Sequence, residues 1–169
     1  NKGYFKAKTT ADSTRHGKKA TAEYTVYPAM QYKIKEVIFP QDSSDLSKSI
    51  VKIKKGSLLK VGQPYDLEVI KAERERIDNR LKNKGYFYFS PDYILAKVDS
   101  TKGNHEVNIR LVVKDETPAK AKIPYTIDKV TIYPNFSIGK DSTGLQDDNI
   151  VKYNDFIIVD SADTFNPRV

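Results

Sequence analysis

Asn1-Lys2-Gly3-Tyr4-Phe5 recurs as Asn83-Lys84-Gly85-Tyr86-Phe87, an offset of 83 − 1 = 82 residues. The echo continues. Asp12-Ser13-Thr14 matches Asp99-Ser100-Thr101, and the alternating run Ala20, Ala22, Tyr24, Val26 matches Val107, Ile109, Leu111, Val113, both at offset 87. Tyr32, Ile34 and Val37 then match Tyr125, Ile127 and Val130 at offset 93. Offsets that grow in steps mark related modules that differ in loop length. The chain therefore reads as a tandem array, and its fold is expected to be one small unit repeated.

The array reading places the ends of the sequence inside modules. A helical pattern precedes Asn83-Lys84-Gly85, over Asp66–Lys84, but none precedes Asn1-Lys2-Gly3. Phe165-Asn166-Pro167-Arg168-Val169 reads as the start of a further helix. The sequence is expected to be a piece of a longer protein, so a missing leader or membrane span says nothing about the parent.

Composition limits the chemistry. With 38% apolar and 30% charged residues, each unit can bury only a small core. The absence of cysteine removes disulfides, thiolate metal sites and cysteine nucleophiles. Eleven tyrosines and no tryptophan lean toward strands. The net charge of +7 is uneven: residues 1–28 carry six Lys/Arg against two acids, 29–117 seventeen against thirteen, and 118–169 six against seven. The basic lean reads first as a solvated surface, and leaves room for contact with anionic lipid headgroups.

Lys19–Tyr27 alternates with period two and predicts a strand ended by Pro28. Tyr32–Phe39 predicts a second, stopped by Pro40. Gln41–Asp45 is a polar turn that offers helix caps. Leu46, Ile50 and Ile53 suit a short helix closed by Lys54-Lys55-Gly56. Gly62 permits a tight turn, and Asp66 is an N-cap for a helix from Leu67 to about Lys84. Leu67, Ile70, Ile77 and Leu81 form its apolar face, with Glu73-Arg74-Glu75-Arg76 and Lys82 and Lys84 expected on the wet side. Gly85 sits where a left-handed C-cap residue belongs. Tyr86, Phe87, Tyr88 and Phe89 are expected to fold back as an aromatic plug of the core. Tyr93–Asp99 and Glu106–Lys114 read as a hairpin around Lys102-Gly103-Asn104. Beyond the linker Thr117–Ala121, Tyr125–Tyr133 restarts the unit. Asn135–Asn149 reads as a loop, and Tyr153–Asp160 as an inserted strand that could pair with Tyr125–Tyr133.

The expected architecture is α+β: tandem β-α-α-β-β modules, each a three-stranded mixed sheet covered by two helices. The divisions are 1–28, the end of a truncated module; 29–117, a complete one; and 118–169, the start of another.

Units of this order and size, in tandem, resemble polypeptide-transport-associated (POTRA) domains. The resemblance rests on Val61-Gly62-Gln63-Pro64-Tyr65-Asp66, Glu73-Arg74-Glu75-Arg76-Ile77, Leu81-Lys82-Asn83-Lys84-Gly85-Tyr86-Phe87 and the strand Tyr32-Lys33-Ile34-Lys35-Glu36-Val37. It covers most of the chain and is weakest over Ser137–Asn149. Within that group the motifs are most similar to the Omp85 superfamily, the BamA/TamA-like assembly proteins of outer membranes, in versions from Bacteroidota, some of them lipid-anchored. The resemblance implies a periplasmic, non-enzymatic part of an outer-membrane protein with a C-terminal membrane β-barrel. It also implies unfolded β-barrel proteins or accessory assembly subunits as partners.

The residues themselves offer little catalytic chemistry. His16 and His105, the only histidines, both lie in polar hairpin contexts and read as turn or surface residues. Asp141, Asp147 and Asp148 surround Gly139 and Gly144 without the spacing of a calcium-binding hand. Gly139–Gly144 lacks the ending of a phosphate loop. No cofactor or metal is expected. The strand–helix–helix–strand order also suits KH modules, but Gly56 and Gly62 are too far apart for their Gly-x-x-Gly loop, so nucleic acid is not expected. What remains is backbone chemistry. A three-stranded sheet has edges whose unpaired N–H and C=O groups can accept an extended segment. The candidate edge is Tyr93-Ile94-Leu95-Ala96-Lys97-Val98-Asp99, with Gly62, Asp66, Gly85, Tyr86 and Phe87 as structural motif residues. The rival reading is a structural or adhesive spacer of a cell-surface protein.

Overall fold

The computed structural model describes residues 2–101, 103–134 and 150–160. The aspartates and glycines of the 135–149 loop and the terminal run Phe165–Val169 lie outside them. The chain divides into two compact units, Asn1–Tyr125 and Thr126–Val169.

The first unit opens with an antiparallel hairpin, β1 (Lys8–His16) and β2 (Lys19–Tyr27), in continuous register. Every residue of both strands is exposed, including Tyr24 and Val26 of the alternating apolar set. The pairing corrects one part of the repeat. Thr14 faces Thr21 in this hairpin, and Asp99 faces Asn108 in the later one. Since Thr21 and Asn108 are 108 − 21 = 87 apart, Thr14 corresponds to Asp99 at 99 − 14 = 85. The echo between Asp12-Ser13-Thr14 and Asp99-Ser100-Thr101 is thus coincidental. The second hairpin has a turn longer by two residues (87 − 85).

The complete module follows: β3 (Lys33–Ile38), α1 (Asp45–Lys52), α2 (Leu67–Lys82), β4 (Ile94–Asp99) and β5 (Glu106–Val113). The strand order is β3-β5-β4, with β3 parallel and β4 antiparallel to β5. A register shift interrupts β3 between Ile34 and Glu36. The central strand turns Val107, Ile109 and Leu111 into the core, where none is solvent-accessible. Leu46 and Ile50 of α1 and Ile70, Ile77 and Leu81 of α2 are buried in the same cluster. Tyr32, Ile34, Leu59, Tyr65, Tyr86, Phe89 and Ile94 complete the cluster, and burying one such side chain stabilises by about 1.5–3 kcal/mol.

Caps set the helix ends. The Ser44 hydroxyl accepts from Ser47 N at the start of α1, and the Asp66 carboxylate from Glu68 N at the start of α2. Asp42 supports α1 from outside: it accepts from Ser44 N and from the Ser47 hydroxyl at 2.6 Å. Hydrogen bonds from Ser44 and Ser47 hold its carboxyl below the usual carboxylate range. A lowered folded pKa contributes stability that is complete above the unfolded value of about 3.9 and is lost as pH falls through the folded value. Asp42 is accordingly expected to titrate below about 3.9 in an NMR pH series; a midpoint at or above that would mean these bonds do not persist in solution.

Two parts of the helix reading are corrected. Glu73, expected on the wet side, is fully buried, and the Arg76 side chain is only 16% exposed. The reason is geometric: position 73 lies three after Ile70 and four before Ile77, on the apolar face. The aromatic run also splits. Tyr86 and Phe89 are buried, whereas Phe87 is 69% exposed and Tyr88 lies outside the core.

The second unit contains β6 (Val130–Ile132), β7 (Ile150–Tyr153) and β8 (Phe156–Val159) in the order β6-β8-β7. The strand expected over Tyr125–Tyr133 is thus confined to three residues. The strand expected over Tyr153–Asp160 is present as Phe156–Val159 and pairs with β6 as expected, and β7 precedes it across a turn at Asn154, whose φ is +52°. β8 pairs parallel to β6, and β7 antiparallel to β8. That is the topology of β3-β5-β4 again.

Candidate functional site

A sheet ordered β3-β5-β4 leaves β3 and β4 as edges, and the two edges differ. The start of β3 is already occupied. Ile34 N donates to Gln63 O at 2.8 Å, Gly62 N to Ile34 O at 2.7 Å, and Tyr65 N to Tyr32 O at 2.9 Å. Gly62, at φ +84°, makes the turn that brings this segment alongside. Covering an edge in this way blocks pairing with foreign strands.

β4 has no such cover among the described residues. Lys114 N donates to Tyr93 O at 2.9 Å, which fixes the hydrogen-bonded pairs of the antiparallel ladder. Leu95, Lys97 and Asp99 then turn their backbone groups toward β5, and Ile94, Ala96 and Val98 turn theirs to the open edge. Ile94 N meets Pro91 O of the 3-10 turn Pro91–Tyr93. The N–H groups of Ala96 and Val98 therefore define the accessible stretch. Leu95 and Val98 are 41% and 37% exposed. Of the seven residues expected at this edge, Tyr93 belongs to the 3-10 turn and the other six form β4.

The Gly-Tyr-Phe motif has a structural role that follows from hydrogen bonding. Tyr86 N donates to Leu81 O at 3.1 Å and Gly85 N to Lys82 O at 2.9 Å, a Schellman pair with Gly85 at φ +90°. Buried Leu81 and Tyr86 sit at the two positions whose apolar contact accompanies this motif. Tyr125 N then donates to Gly85 O at 2.7 Å. The same bond occurs at the other copy of the motif, where Tyr32 N donates to Gly3 O at 2.9 Å and Gly3 has φ +87°. Rings accompany both contacts: Phe5 lies against Tyr32 at 5.0 Å, and Tyr88 against Tyr125 at 5.3 Å. The repeat thus encodes a clasp between a glycine turn and a tyrosine that follows it, 32 − 3 = 29 residues on in one copy and 125 − 85 = 40 in the other. Phe87, exposed and stacked edge-on against Tyr88, belongs to the surface of this clasp rather than to the core.

Glu73 is a second feature that periodicity alone did not isolate. Its carboxylate accepts from Leu58 N at 2.8 Å and from Arg76 Nε and Nη2, each at 2.8 Å. This ties α2 to the connection from α1. His16 is in the hairpin, and His105 packs edge-on against Tyr32 at 5.3 Å. Among the described residues no group of three His, Asp or Glu side chains could hold a metal ion.

A family model described as "Surface antigen variable number repeat", the POTRA model, matches residues 32–116. Among solved structures the chain is similar to POTRA domains 3–5 of Haemophilus influenzae BamA. The identity is 19%, the TM-score 0.50, and the match covers 85% of this chain. It covers 53% of that chain, so the sequence spans about half of its length. At this identity the likeness speaks to the fold. Comparison with curated proteins gives no match. The family match spans half of the sequence and coincides with the module whose strand order, helices and clasp are described above: the chain belongs to the POTRA family.

Proposed function

We propose that this chain is part of a periplasmic POTRA array of an Omp85-type outer-membrane assembly factor. It binds extended segments of unfolded β-barrel proteins, or of accessory subunits, at the edge of β4. The observation that carries the reading is an uncovered edge strand in a POTRA module, with outward N–H groups at Ala96 and Val98 beside exposed Leu95 and Val98. Main-chain hydrogen bonds give affinity with little demand on client sequence, which suits a factor that handles many precursors. The role is non-enzymatic. The parent would continue into a membrane β-barrel.

Proline substitution tests the edge directly. Val98→Pro removes an outward donor and is expected to leave the fold intact, because edge positions tolerate proline where the N–H faces solvent. Lys97→Pro removes a ladder donor and is expected to destabilise. Val98→Pro is also expected to weaken binding of an extended barrel-derived peptide by about 0.5–1.5 kcal/mol for each main-chain bond lost, read by NMR titration. Equal peptide binding by a folded Val98→Pro variant would reject strand addition at β4.

The repeated clasp supports a second reading, a spacer of a surface-displayed protein. The two are separated by whether the full-length gene product continues into short amphipathic strands of dyad period.

A further inference from the structure

The other edge of the complete module carries a different chemistry. Between Leu46 and Tyr65 the sequence has five lysines and no acid. The fold wraps this stretch around a groove of about 950 Å³ between the second half of β3, α1 and the 54–60 connection. That size lies near the top of the range of roughly 300–1,000 Å³ for ligand clefts. Phe39, Val51 and Leu59 contribute its apolar lining, and Lys48, Lys52, Lys54 and Lys60 its charge. Lys48 is paired with Asp45 on the surface. Lys52, Lys54 and Lys60 are exposed and make no ion pair among the described residues. The lining also holds two acids, Asp42 and Glu36; their hydrogen bonds come from neutral donors and do not cancel their charge, but the four lysines outnumber them. Asp42 accepts from Ser44 and Ser47, and Glu36 accepts from Asn108 Nδ2.

The groove also adjoins backbone. The segment that covers β3 reaches only to Ile34, where the last of its hydrogen bonds is made. Glu36, Val37 and Ile38, beyond the register shift, line the groove instead. A strand edge beside a helix, with an apolar lining and unpaired cations above it, fits an extended polypeptide that alternates apolar and acidic side chains. Apolar groups face Phe39, Val51 and Leu59, and carboxylates face the lysines. A membrane surface fits less well, since these lysines line a concave groove rather than a plane.

From this we infer that the complete module has a second docking groove, along β3 and α1, which takes an acidic extended segment of a partner protein. This site is independent of the β4 edge and is selective by charge where that edge is permissive. The attraction is between exposed charges and weakens as salt shortens the screening length below about 8–10 Å.

The test uses the 169-residue chain, isotopically labelled, titrated with a short peptide of alternating valine and glutamate. Shift changes are expected at Glu36–Pro40 and along α1, fading with added salt. The glutamine counterpart of the peptide is expected to bind at least about tenfold more weakly, as is the acidic peptide to a K52Q/K54Q/K60Q variant with an unchanged melting temperature. Val98→Pro is expected to leave this binding unaltered, which separates the groove from the β4 site. A backbone N-methylated acidic peptide that binds as well as the parent peptide would overturn the strand-edge component. Shift changes confined to β4 would overturn the site, as would an acidic peptide that fails to bind while anionic vesicles sediment the wild-type chain and not the variant.

Discussion

Glu73→Ala is expected to lower the unfolding free energy by about 3–5 kcal/mol, the cost of breaking a buried ion pair by removing one partner. The side chain is fully buried and serves three donors at once: Leu58 N, Arg76 Nε and Arg76 Nη2. Alanine leaves a largely buried guanidinium without its counter-charge and strands the Leu58 N–H. Small domains are stable by only about 5–15 kcal/mol, so this one change removes a large share. Glu73→Gln keeps the shape and an acceptor for Leu58 N but loses the charge, and is expected to fall between alanine and wild type. The double variant Glu73→Leu with Arg76→Met removes the charges together and is expected to cost less than Glu73→Ala, since a buried pair contributes little beyond its own desolvation. Urea unfolding of the four proteins decides the matter. A loss below about 1 kcal/mol for Glu73→Ala would place the carboxylate in water.

Glu73 also shows what sequence patterning cannot separate. The apolar stripe of α2 was legible because Ile70, Ile77 and Leu81 recur with helical spacing, and all three are buried. Position 73 falls on the same stripe. There the type of residue argued for solvent while its position argued for the core. Position prevailed because Arg76 and Leu58 N satisfy the carboxylate, and the second of these lies 73 − 58 = 15 residues away in sequence. The edge strand was legible for a simpler reason: a hairpin following a helix pair leaves one of its strands outermost, and Ile94–Asp99 is that strand. The groove was not, because its lining joins residues from β3, α1 and the connection after it. A clue was present in the acid-free run from Leu46 to Tyr65, but nothing in one dimension sets those lysines beside a strand edge.

The third strand set carries the repeat argument further than residue identity does. Few residues of β6, β7 and β8 match β3, β4 and β5, yet the order β6-β8-β7 and both pairing directions are the same. The strand expected over Tyr153–Asp160 is β8, paired with β6 as expected; the unexpected part is β7, four residues directly after a polar stretch of sequence, which the turn at Asn154-Asp155 joins to β8. That sheet order is the one seen in the module that the POTRA family model matches. A further module beginning near Tyr125 is what the repeat of Tyr32 at that position proposes.

Among the described glycines, Gly85 of the repeated motif is the least able to accept a side chain. Gly85→Val is expected to cost about 1–2 kcal/mol for a left-handed backbone, and a further 1–3 kcal/mol or so for overpacking. At φ +90° a Cβ on residue 85 would lie 2.4 Å from Tyr125 O and 3.2 Å from Tyr125 N. Both atoms are backbone and cannot swing aside as a side-chain tip would. Relief requires Tyr125 to retreat, which breaks its 2.7 Å bond to Gly85 O and its ring contact with Tyr88. Gly3 provides the internal comparison. Its nearest contacts are 3.0 Å to Tyr32 O and 3.1 Å to Tyr65 O, so a Cβ there is crowded but not excluded. Gly3→Ala is accordingly expected to destabilise less than Gly85→Ala, although both residues share the motif and the sign of φ. Gly85→Asn divides the cost at Gly85 itself. Asparagine accepts positive φ more readily than other residues, so what it loses reflects the collision with Tyr125 rather than the backbone. Thermal unfolding of these variants, with the Tyr125 amide followed by NMR, tests each term. An unchanged melting temperature for Gly85→Val would refute the clasp, and a loss in Gly85→Asn as large as in Gly85→Val would assign the whole effect to the contact with Tyr125.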